Sequence, residues 1–69
     1  MKMVNKASGE AVYFNPITKH GKEAWIIQGI GDTVVIGRDR QKMKSRTFTQ
    51  YSQAEAYLKR HGFETETYR

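Results

Sequence analysis

The 69-residue chain carries twelve basic and seven acidic residues, a net charge of +5, 38% hydrophobic residues and no cysteine, with a pI near 9.8. That is material for one small domain, residues 1–69, in which folding removes roughly 60% of the unfolded chain's exposed surface, and it excludes a disulfide framework and thiolate metal sites. The charge draws such a protein toward phosphate backbones, anionic headgroups or acidic proteins, and the segment Met1–Ser8 leads into no apolar stretch of signal-peptide or membrane-helix length, so a cytoplasmic protein is expected.

Residues 1–9 are mostly polar and end in Ser8-Gly9, which reads as a loose N-terminal arm or at most a weak edge strand. Ala11 to Asn15 is the first firm strand, because Val12, Tyr13 and Phe14 favour extended backbone and Asn15-Pro16 is expected to stop the run. A loop over Pro16 to Gly21 follows. Ala24 to Gln28 and Thr33 to Ile36 are apolar, β-prone runs on either side of Gly29-Ile30-Gly31-Asp32, a pattern that predicts a hairpin with Trp25 to Ile27 opposite Val34 to Ile36.

Beyond Gly37 stand Arg38, Arg40, Lys42, Lys44 and Arg46, five cations on alternate positions. The stretch holds one acid, Asp39, which leaves seven basic against six acidic residues in the rest of the chain, so the basicity is local. An extended backbone would point all five to one face at intervals of about 6.6 to 6.8 Å, close to phosphate spacing in nucleic acid. The alternative for this stretch is a long solvated loop, or an edge strand protected from aggregation by its lysines. Lys44 to Thr49 regains Thr and Phe and predicts a further strand, with Phe48 inward and Arg46 and Thr47 toward solvent or ligand.

Ser52-Gln53-Ala54-Glu55 has the form of a capping box and predicts a helix from Ser52 to His61. Ala54, Tyr57, Leu58 and His61 recur at i, i+3, i+4 and i+7 as one buried stripe. Gly62 ends the helix in the left-handed region and sets Phe63 to pack back on Leu58. Phe63 to Tyr68 then offers a last, acidic strand or a frayed end.

No residue set names a reaction. His20 and His61 lack local metal-ligating or acid–base partners, Ser8, Ser45 and Ser52 lack a base, and Gly29-Ile30-Gly31 joins strands instead of opening a helix, so an enzyme, a cofactor and a metal are not expected. Tyr13, Trp25 and Tyr51 are candidate stacking platforms for bases, with Trp25 better read as core.

Taken together, Gly21-Lys22-Glu23-Ala24-Trp25, Gly31-Asp32, and Arg46-Thr47-Phe48 leading into Ser52-Gln53-Ala54-Glu55-Ala56-Tyr57-Leu58 resemble the arm-type DNA-binding domains that precede phage and transposon integrases. The resemblance spans about 40 residues. It implies a three-stranded sheet backed by one helix, a sheet face that enters the DNA major groove, contacts from Lys22, Arg38, Arg40, Lys42, Lys44 and Arg46, and a free-standing accessory protein of a mobile element.

The expected fold is therefore α+β, a small antiparallel sheet of three or four strands with one helix on a face and an extra C-terminal strand as an option. The expected function is nucleic-acid binding, DNA ahead of RNA, through Arg38, Arg40, Lys42, Lys44 and Arg46, with Lys22 and Lys19 extending the patch. The alternative is a non-enzymatic interaction module or small inhibitor that presents the same cations to an acidic protein. A homodimer is compatible with either, given the small core.

Overall fold

The computed structural model describes residues 1–65, save the side chain of Arg38. Its main layer is a five-stranded antiparallel sheet in the order β6-β3-β2-β1-β7, built from β1 (Lys2–Val4), β2 (Ala11–Lys19), β3 (Lys22–Gly29), β6 (Ser45–Phe48) and β7 (Glu64–Thr65). A two-stranded ribbon of β4 (Val35–Ile36) and β5 (Lys42–Met43) interrupts the chain between β3 and β6, and one helix, α1 (Tyr51–Arg60), packs on one face. The α+β class with a single helix is as expected, while the sheet has more strands than the three or four foreseen. No helix among the described residues is long and apolar enough to cross a membrane.

Strand β2 runs straight through Pro16, four residues past its expected end. The hydrogen-bonding phase explains this. The Ile30 amide bonds the Ala11 carbonyl, and from there the bonded pairs between β2 and β3 fall on Tyr13–Gln28, Asn15–Ile26 and Ile17–Ala24. Pro16, opposite Trp25, turns its nitrogen toward the other neighbour, β1, whose pairing with β2 reaches only Phe14. The missing N–H thus costs no ladder bond. The expected loop over Pro16 to Gly21 shrinks to the two residues His20 and Gly21, at φ 52° and 74°, which meets the positive-φ requirement of a type I′ hairpin turn.

That turn also decides the partner of β3. Its neighbours are β2 and β6, not the segment after Asp32, and the hairpin expected between Trp25–Ile27 and Val34–Ile36 does not form. At Gly29 the chain folds back so closely that an added Cβ would collide with the Thr33 carbonyl oxygen, and Val35–Ile36 leaves the sheet to pair with Lys42–Met43. The N-terminal segment is likewise no loose arm. Residues Lys2–Val4 form an inner strand between β2 and β7, with Met3 buried. The Asn5 side chain holds the following loop by accepting the Ala7 and Ser8 amides, and its Nδ2 donates to the His61 carbonyl at 2.9 Å.

The core lies between the sheet and α1 and contains Met3, Val12, Phe14, Ile27, Val35, Phe48, Ala54, Tyr57, Leu58 and Phe63. Ala54, Tyr57 and Leu58 are the buried helix residues, and His61 stacks on Tyr57 with ring centroids 4.2 Å apart, as the 3.6-residue stripe predicts. The helix end also follows expectation: Gly62 has φ 77°, its amide bonds the Lys59 carbonyl, and the Phe63 amide bonds the Leu58 carbonyl at 2.8 Å, the two bonds of a Schellman end. Its start does not. The N-cap is Gln50 without a side-chain cap, and Ser52 lies inside the first turn. The helix takes in Tyr51 because that ring packs between Phe14 and Trp25, at centroid distances of 5.9 and 5.7 Å. Of the expected last strand, Glu64–Thr65 pairs with β1, and the rest of that segment lies outside the described residues.

The contact at Gly29 makes a stability prediction. Gly29→Ala should cost about 1–3 kcal/mol, since the Thr33 backbone blocks the new methyl. Gly21→Asn, at an open left-handed position, should stay within about 0.5 kcal/mol; urea denaturation of the two variants checks both.

Candidate functional site

Residues directly opposite one another in an antiparallel sheet share a face. The face under α1 therefore takes Met3, Val12, Phe14, Trp25, Ile27, Arg46 and Phe48, and the opposite face, away from α1 and flanked by the ribbon at the β6 edge, is read off the register in rows. One row runs Lys2, Tyr13, Gln28, Ser45. The next is Asn15, Ile26, Thr47; then come Ile17 with Ala24, and finally Lys19 with Lys22 beside the hairpin turn. Glu64, at the β7 edge and tied to Lys6 at 3.4 Å, is the one carboxylate in the strand rows of this face among the described residues.

Tyr13 is 45% exposed and stands near the middle of this bare face. Ile17 and Ile26 beside it are half-buried, and Ala24 is buried under its neighbours. Lys19 and Lys22 are exposed and make no ion pair with a described residue. Lys19 reaches two grooves. One is shared with His20, Lys22, Glu23, Ala24 and Thr49, and the other, of about 630 Å³, is shared with Ser45, Arg46, Thr47 and the Asp39, Gln41 and Met43 side of the ribbon. The surface is thus an aromatic and aliphatic centre, a border of amides and hydroxyls, and a cationic end.

The basic row is not displayed as an extended strand would display it. Residues Arg38–Arg40 form a single 3-10 turn in which Asp39 and Arg40 sit at φ 62° and 61°, so the alternation expected from Arg38 to Arg46 is lost at its start. Lys42 belongs to β5, Lys44 to the bend after it and Arg46 to β6. The physical reason is burial: Val35 is fully buried, and the chain must cross from the helix side to the sheet edge within a few residues, which a straight strand cannot do. Arg40, Lys42 and Lys44 remain exposed.

Arg46 differs from the rest. It shares the helix-side face with Phe48, where its guanidinium lies 4.6 Å from the Phe48 centroid and 5.9 Å from that of Tyr57, and its Nη1 donates to the Ile36 carbonyl at 3.2 Å. The Ile36 amide in turn donates to the Tyr57 hydroxyl at 2.8 Å. Arg46 therefore anchors the ribbon and does not extend a solvent-facing row.

The three aromatic candidates also separate. Trp25 and Tyr51 pack edge-on against each other on the helix side, and only Tyr13 faces the bare side. Asn15, Gln28 and Ser45 are not singled out by the sequence, whereas Thr47, expected to face solvent or ligand, is exposed on this side. The odd-numbered alternation from Tyr13 to Lys19 carried the signal, and reading Pro16 as a stop hid it. Neither histidine joins a metal cluster: among the described residues no group of three or more His, Cys, Asp or Glu could hold an ion. No protein-family model, curated protein or solved structure matches this chain.

The two kinds of cation should respond differently to mutation. Arg46→Gln removes the ring contact and the charged bond to Ile36 and should cost about 1–3 kcal/mol. Lys44→Gln should change stability by less than about 0.5 kcal/mol, with thermal and urea unfolding as the measurement.

Proposed function

We propose that the bare face of the sheet binds nucleic acid in single-stranded form. The observation that carries this reading is the exposed Tyr13 ring on a face that has no helix over it and carries Lys19 and Lys22 at one end. A base stacked on an exposed tyrosine contributes about 1–3 kcal/mol whatever its identity, and lysines about 20 Å further along the same face neutralise phosphates of the same strand. Asn15, Gln28, Ser45 and Thr47 supply donors and acceptors to base edges and sugars within the same rows.

Width favours an unpaired strand over a duplex. Five strands at the usual spacing place β6 and β7 about 19 Å apart, whereas the major groove is about 12 Å wide and admits a two-stranded ribbon. The half-buried Ile17 and Ile26 also suit the faces of splayed bases better than a phosphate-lined groove. Arg40, Lys42 and Lys44 then act at a distance, raising the encounter rate without fixing the strand. The Ile17–Ile26 centre is also the specific observation in favour of the second reading, an acidic protein partner seated on the same face.

Fluorescence anisotropy with twelve-nucleotide DNA and RNA probes, single-stranded and duplex, at two salt concentrations tests the reading. Tyr13→Ala should weaken single-strand binding by about 5- to 100-fold. Lys19→Glu with Lys22→Glu should weaken it further and flatten the salt dependence by about 1.4 in log–log slope. Arg40→Glu with Lys44→Glu should have the smaller effect of the two charge reversals. Tighter binding to duplex, or an affinity untouched by Tyr13→Ala, would refute it. Binding only to an acidic protein would select the second reading.

A further inference from the structure

On the helix side of β6, away from the bare face, lies a second polar cavity. It has a volume of about 280 Å³ and is lined by Arg46, Phe48, Gln53, Ala56, Tyr57 and Arg60. Gln53, Ala56, Tyr57 and Arg60 are spaced i, i+3, i+4 and i+7, so they form one stripe along α1 that shares Tyr57 with the buried one, and the small side chain of Ala56 leaves the space open.

Two arginines line this cavity and no carboxylate does. Neither Arg46 nor Arg60 pairs with an acid among the described residues, and the nearest acid on the helix, Glu55, is engaged by Lys59 at 3.4 Å. Arg46 is held in place: its guanidinium carbon lies 4.6 Å from the Phe48 ring centroid, and the bond to Ile36 uses one of its five N–H donors. Two cations that line one cavity with no acid beside them favour an anion between them.

We infer that this cavity is a binding site for a phosphate monoester or free phosphate, held between the guanidinium groups of Arg46 and Arg60 with the Gln53 amide as a further donor. A dianion with three or more acceptor oxygens matches two planar forks and an amide. The volume admits a phosphate with a small ester group. The site lies across the sheet from Tyr13, so it stands or falls independently of the reading of the bare face.

The test is a titration followed by ¹⁵N NMR of the arginine Nε–H and glutamine side-chain signals, using inorganic phosphate, a nucleoside 5′-monophosphate and the matching nucleoside, against sodium chloride of equal ionic strength. Saturable shifts at Arg46, Arg60 and Gln53 with both phosphates, but not with the nucleoside or chloride, are expected. A tighter monophosphate identifies a nucleotide or nucleic-acid end as the source, and equal affinities identify the free oxyanion. Arg60→Gln, exposed in the last turn of α1, should weaken phosphate binding by about tenfold or more while the unfolding midpoint stays in place. Ala56→Leu, which fills the cavity, should do the same. Shifts of equal size with chloride, or unchanged affinity in both variants, would overturn the proposal.

Discussion

Ile36 has both of its backbone groups bound by side chains from other elements: its amide by the Tyr57 hydroxyl of α1, and its carbonyl by the Arg46 guanidinium of β6. A two-residue strand has too few ladder bonds to stay in place alone, so these ties, with the burial of Val35 beside them, hold the ribbon to the helix side of the molecule. Much else follows. The chain between β3 and β6 must leave the sheet at Gly29 and return at Ser45, β6 then takes the free edge of β3, and the single helix is on the face opposite Tyr13.

The same contacts divide the cations into two groups with different roles. Arg46 is partly buried and oriented, with its charge against aromatic rings, so it acts through packing as much as through charge. Arg40, Lys42 and Lys44 are solvated and add to the field of the whole protein. Lys19 and Lys22 belong to neither group, since the I′ turn at His20-Gly21 sets them opposite each other at the end of the bare face. Two lysines facing each other across a hairpin repel, and an anion lying over them relieves that repulsion. The bare face and the Arg46–Arg60 cavity each bring two cations together, but only the cavity does so with no carboxylate in its lining, since Glu23 and Asp39 line the grooves that Lys19 reaches.

Several elements could be read from local pattern alone. The helix stripe, its end at Gly62 and the return of Phe63 to Leu58 depend on spacing within a dozen residues, and all three appear in the structure. Phe48 points inward for the same reason. The misreadings share another cause. Pro16 stops a strand only if its nitrogen faces a partner, and which way it faces is set by a hydrogen-bond phase that begins at a turn four residues away. Ser52 has the sequence of a cap, yet the packing of Tyr51 on Phe14 and Trp25 moves the helix start back by one residue.

What the sequence by itself determined is the class of molecule: a small, basic α+β fold with one helix, whose inward stripe and glycine end follow from local spacing. Only the tertiary structure decided which strands are neighbours, which face stays bare and which cations share a surface. The reason is that alternation assigns side chains to faces only while the backbone stays extended. One turn of positive φ at Asp39 and Arg40 breaks the row of charge, and one two-residue turn at His20-Gly21 brings Lys19 and Lys22 together.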